Sequence, residues 1–207
     1  MFKILLLCAF LVSAYSAEIL YQHKFLLDNE NWSIIGNKNY EPAVHQSYNI
    51  DNALSHYIMF KDNLINVDNK NKNDKTLWYF RSPDIIINTE CKPGTNAKNK
   101  KLLKHPKLLT FTMSSFQGDF NKLNKNLALV KLKNNNNCLI FNAPQYDGKS
   151  REFNVPFVYS LWMHEHNNNL VNQEEIDKMF IGTFSIEILG DWTQGMEVIG
   201  LDNVVLL

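Results

Sequence analysis

Two histidines flank a glutamate at His164-Glu165-His166. On an extended strand, residues two apart share a face, so one metal ion could bridge both imidazoles. This is not the helical H-E-x-x-H pattern of metalloproteases, because the spacing is i, i+2 and Asn follows. A third ligand would have to come from His23, His45, His56 or His105. The competing reading makes these histidines the start of a solvent loop, and the Asn run at 167–169 favours it. A metal site requires ligand count as well as spacing.

A shallow binding face is the second kind of chemistry on offer. Trp162 precedes His164 by two, on the face opposite Phe157, Tyr159 and Leu161. If those three fill the core, Trp162 and His164 point away from it. Trp78 and Arg81 would come from another strand, whose alternation sets them on opposite faces unless a bulge intervenes. Aromatic plates and Arg side chains lead at interaction sites. Against this stands the usual fate of Trp in a sandwich, which is burial. Catalytic signatures are missing: there is no G-x-S-x-G elbow and no phosphate-binding glycine loop. With only 8 glycines in the chain, nucleotide-cradling loops are not expected. No glycosidase-like carboxylate pair is marked, although carboxylates are plentiful.

The elements that must position these residues read as strands. Period-two alternation runs through Ile19, Tyr21, His23, Phe25 and Leu27. It recurs at Leu109, Phe111 and Met113, and at Ala128, Val130 and Leu132. The longest case is Phe153, Val155, Phe157, Tyr159, Leu161 and Met163. Phe180, Phe184, Ile186 and Ile188 give another, with Gly182 in register. Residues 56–61, 76–81 and 201–207 complete a set of about eight strands. Asn172 with Glu175 three residues on is a capping box, and Ile176, Met179 and Phe180 follow at helical spacing. A short helix over residues 173–179 is expected. Asn- and Lys-rich stretches at 66–74, 96–101, 134–137 and 167–169 belong in surface loops. The expected fold is all-β: a two-sheet antiparallel jelly-roll sandwich with one short helix.

Residues 1–16 carry Lys3, an apolar run at 4–12 and the small residues Ala14 and Ser16. This is the pattern of a secretory signal peptide, too short to span a bilayer. The expectation is export, loss of the leader with Cys8, and a mature domain over residues 17–207 in the extracellular space or a secretory or vacuolar lumen. No later segment reads as a membrane span. Hydrophobic content of 45% and aromatic content of 12% argue against disorder. The 21 basic and 21 acidic residues cancel, so no long-range field attracts nucleic acid. The basic cluster at 98–107 lies among Asn, Gly and Pro and reads as a solvated loop. Cys91 and Cys138 survive processing. They are a disulfide candidate in an exported protein, with two buried free thiols as the alternative. Asn31-Trp32-Ser33 is the one glycosylation sequon, and the bulk and expected burial of Trp32 weigh against its use.

The order of motifs resembles the laminin IV (laminin B) domain, a galactose-binding-like jelly roll. Phe25, Asp28 and Trp32 are similar to that family's opening "F…D…GW". Trp78-Tyr79-Phe80-Arg81-Ser82-Pro83 is similar to its "YF.AP" segment, and residues 108–113 stand where its "L.F.L" strand does. Residues 127–132 with 139–141 resemble its "V.L.G.G..L" pair, and residues 157–162 its "L.E..W" strand. Residues 174–180 match the short helix before "I.G.Y", here Ile181-Gly182-Thr183-Phe184. Gly200-Leu201-Asp202-Asn203-Val204 matches the terminal "G.LD.V.L". The glycine after "YF.AP" is missing, and the cysteine-rich repeats that flank the family's domain are absent. The resemblance implies a structural calcium ion where the first and last strands meet, with Asp28, Glu30 and Asp202 as its oxygen ligands. Calcium takes about six to eight oxygens, so carbonyls would complete the set. The alternative is that Asp28 is a turn residue and Asp202 bonds neighbouring backbone.

Three functions remain open from the residues and the resemblance. The first is a secreted, non-catalytic binding or adhesion module for a glycan or an extracellular protein. The second is a structural subunit of a secreted or vacuolar complex. The third is a jelly-roll hydrolase or metal-dependent enzyme built on His164, His166 and an acid.

Overall fold

A computed structural model of the chain describes residues 18–36, 44–50, 53–62, 77–87, 105–124, 127–135 and 137–207. The expected leader, Cys91, residues 66–74 and 96–101, and most of the basic cluster lie outside the described residues.

Thirteen strands are described: β1 Tyr21–His23, β2 Ser33–Ile35, β3 Val44–Ile50, β4 Ala53–Asp62, β5 Tyr79–Arg81, β6 Ile85–Ile86, β7 Leu108–Gln117, β8 Ala128–Asn134, β9 Cys138–Asn142, β10 Arg151–Pro156, β11 Trp162–His164, β12 Thr183–Leu189 and β13 Glu197–Leu206. One helix, α1, spans Gln173–Met179. All strand pairs are antiparallel, in two sheets. One runs β10-β7-β13-β4-β3, with β1 also on β13. The other runs β11-β9-β8-β12-β5-β2, with β6 also on β12. The all-β sandwich with a single short helix is what the alternation predicts.

Packing follows from that alternation. In β7, Leu109, Phe111 and Met113 are buried, while Thr110 and Thr112 are half-exposed. In β12, Phe184, Ile186 and Ile188 meet them from the other sheet, inside one apolar core. All four tryptophans, Trp32, Trp78, Trp162 and Trp192, lie in that core. Each large aromatic buries roughly 150–250 Å². Gly190 closes against Trp78 so tightly that a Cβ there would stand 1.8 Å from the indole Cζ3.

Three strands differ from expectation: β12 begins only at Thr183, with Phe180 as the C-cap of α1 and Gly182 at φ 82° before it. The alternation from Phe153 does not continue to Met163. Pro156, which has no N–H to extend a ladder, ends β10. A 3₁₀ turn at Tyr159–Leu161 follows and advances the chain by an odd step. Trp162 therefore faces inward, and Tyr159 and Leu161 face solvent. The first strand is also shorter. Phe25 takes φ 48°, breaking the alternation after His23, and Leu27 is exposed.

Candidate functional site

The region around β11 holds most of the residues that could make contacts. Trp162 donates its indole N–H to the Pro156 carbonyl at 2.9 Å and stacks on Phe157 at 5.4 Å between ring centres. It also packs against Phe141 at 5.6 Å. Above this buried base, Val158, Tyr159, Leu161 and Leu170 are 44–65% exposed. Phe141, Asn142, Ser160, Leu161, Met163 and Leu170 line a shallow depression of 290 Å³ there. The expected plate at Trp162 is thus corrected: the indole supports the surface from below, and the exposed ring is Tyr159.

His164 is the last residue of β11, and the chain turns back immediately. The amide of Asn168 donates to the His164 carbonyl at 2.9 Å, and the His164 amide to Asn169 at 2.9 Å. Nε2 of His164 lies 3.3 Å from Oε1 of Glu175, and Nε2 of His166 lies 2.9 Å from the Asn167 amide nitrogen. Each histidine is thus engaged with its own partner. Among the described residues, no three His, Cys, Asp or Glu side chains gather where an ion could be held.

Trp78 and Arg81 do not join this corner. Trp78 is buried against Phe60 and Phe80, at 4.9 and 5.3 Å, so the expected aromatic plate is absent there too. Phe80 shares its inward face, whereas Tyr79 and Arg81 turn outward. Arg81 belongs to β5, four strands from β11 in the sheet order, or about 19 Å at the usual strand spacing.

Arg81 instead belongs to a polar row that the sequence did not flag. The register aligns Ser33, Arg81, Glu187 and Lys131 across four strands on the outer face. Lys133 pairs with buried Glu187 at 3.0 Å, and Lys131 with Glu165 at 2.5 Å. The Lys131 ammonium sits 4.5 Å above the Tyr79 ring. A charged residue in the middle of the apolar β12 run was the available signal. Cys138 borders this row as a free thiol. Burial, then hydrogen bonding to Glu165, push that thiol up to about 12, so it is not a ready nucleophile.

The first and last strands do meet, as the resemblance implies: β1 pairs with the end of β13. The calcium set, however, is not assembled. One oxygen of Glu30 is paired with Nδ1 of His23, and the other accepts the Phe25 amide at 2.9 Å. Asp28 accepts the Glu30 amide at 2.7 Å, in the manner of a turn residue. Asp202 accepts the adjacent Asn203 amide at 2.6 Å. Both oxygens of Glu30 and one oxygen each of Asp28 and Asp202 are thus engaged, and among the described residues the three carboxylates do not gather into one group. The three carboxylates do not fit the ion as a set. Asn31, the sequon residue, is exposed at φ 63° beside buried Trp32.

Another acid pair went unnoticed in the sequence. Asp191 and Glu197, both buried, face each other between β12 and β13. Glu197 accepts the Trp192 and Thr193 amides at 3.1 Å, and the Asn124 side-chain amide donates to Asp191 at 2.7 Å. The pair thus closes the β12–β13 connection.

No family model and no curated protein matches this sequence. In fold, the chain is similar to the L4b domain of human laminin alpha-2, with a TM-score of 0.59 over 90% of this chain and 97% of that one, at 8% sequence identity.

Proposed function

We propose that this chain is an extracellular binding module without catalytic activity, and that its contact surface is the β9–β11 corner. The observation that carries the reading is the exposed apolar cluster of Tyr159, Leu161 and Leu170 around a shallow depression over a rigid Trp162 base. Exposed apolar groups that rim a depression mark interaction sites on soluble domains. The mostly apolar lining favours a protein over a glycan, with Ser160 and Asn142 as the polar contacts that fix orientation. His164 lies at the margin of this surface and Arg81 outside it. The likeness in fold to a laminin domain and the expected leader support the extracellular placement. A sugar on Asn31 would fit the same route.

The test is a pull-down from extracellular material and a glycan array, each with the wild type and a Tyr159→Ala/Leu161→Ala variant. Loss of at least 2 kcal/mol of affinity in the variant, at unchanged Tm, is expected of anchors at the centre of an interface. A stoichiometric partner that the variant still binds would move the reading to a structural subunit. Silence in both assays would end it.

A further inference from the structure

The β3–β4 hairpin carries a second histidine pair. Its register sets His45 opposite Ile58 and Ser47 opposite His56. Residues two apart on a strand share a face. His45, Ser47 and His56 therefore lie on the face that buries Ile58 completely. The two imidazole centres are 5.7 Å apart and their planes differ by 8°. Ser47 Oγ is 2.9 Å from Nδ1 of His56. Nε2 of His45 is buried and has no hydrogen-bond partner. A polar nitrogen sealed in that state is costly unless something binds it.

We propose that His45 and His56 bind a divalent transition metal of the zinc class, with Ser47 positioning the His56 ring. Neutral imidazole is a favoured ligand for such ions. With Nδ1–H donating to the Ser47 hydroxyl, Nε2 of His56 presents its lone pair. A hydrogen bond on the nitrogen away from the metal is how ligating histidines are held in tautomer and orientation. The unpartnered Nε2 of His45 supplies the second donor. The pair at His164 and His166 differs in that each Nε2 already meets a side chain. No third His, Cys, Asp or Glu joins His45 and His56 among the described residues, so water fills the remaining positions.

Calorimetric titration of the untagged protein with zinc chloride tests this site. One zinc per chain is expected. His45→Ala and His56→Ala should each weaken binding at least tenfold, and Ser47→Ala by about tenfold, the usual scale for an outer-shell partner. His164→Ala/His166→Ala should bind as the wild type does. Affinity should fall on acidification, since binding a metal displaces protons from imidazole. Proton NMR of the wild type gives a readout that needs no variant to fold: the Hε1 resonances of His45 and His56 should move on zinc addition. The site is refuted by no zinc uptake, by uptake indifferent to both alanine variants, or by shifts confined to His164 and His166.

Discussion

A carboxyl group buried beside another holds its proton far above the usual range. Burial, then the neighbouring Asp191, push Glu197 up to about 9. The folded chain therefore binds this proton more tightly than the unfolded chain, where a glutamate titrates near 4.3. The stabilisation is full below that lower value and is lost as the pH rises toward 9. Glu197→Gln keeps an acceptor for the Trp192 and Thr193 amides and a donor toward Asp191. It should flatten the decline of the urea midpoint between pH 5 and 9; a wild-type midpoint constant across that window would contradict the assignment. Asp202 behaves alike at lower pH. Burial raises it to about 6, with Glu30 adding to the effect and the Asn203 amide opposing it. Stability should thus increase as the pH falls from 6 to 4. Asp202→Asn should remove its share of that slope, leaving the part due to Glu197, and add about 1 kcal/mol at pH 7, a figure reduced for partial exposure. Urea melts at pH 4.5 and 7 decide it.

Capping chemistry is local, so the one helix was legible in full. The Asn172 side chain accepts the Glu175 amide at 3.0 Å, and Glu175 returns a bond to the Asn172 amide at 2.8 Å. Ile176 and Met179 then face inward at helical spacing. Asn172→Ala should cost about 1 kcal/mol, measured by chemical denaturation. The segment from Phe153 to Met163 was harder. Its residues alternate without interruption, and period two cannot show that a 3₁₀ turn shifts the phase by one. Pro156 was the only local sign. The same slip hid the exposed apolar corner, because it exchanged Trp162 for Tyr159 and Leu161. Histidine and charge pairings across strands were illegible for a different reason. His45 with His56, and Lys133 with Glu187, depend on register, which the sequence leaves open wherever turn lengths are unknown.

Across the molecule, the two-layer arrangement was readable because each strand carries its inward face in its own residues. Which strand lies beside which was not, since the pairs join segments remote in sequence, such as β7 with β13. The core is closely packed at Gly190, which lies beside Trp78 in the same sheet with its missing Cβ facing the indole. Gly190→Ala would force the indole out of place, an overpacking expected to cost about 1–3 kcal/mol or more, seen as a lower Tm. Trp78→Ala should cost about 3–5 kcal/mol in the same assay.

In its sheet β13 is an interior strand, bonded to β7 on one edge and to β4 and β1 on the other. It is also made last of the thirteen. While a ribosome is still adding residues 197–206, the six-stranded layer has no middle, and β1, made earliest among the thirteen, has nothing to zip onto. Vectorial synthesis therefore cannot yield a partly finished sandwich. The nascent polypeptide must stay open until β13 emerges, a state exposed to proteases and aggregation meanwhile. A stop codon in place of Glu197 should leave no foldable remnant.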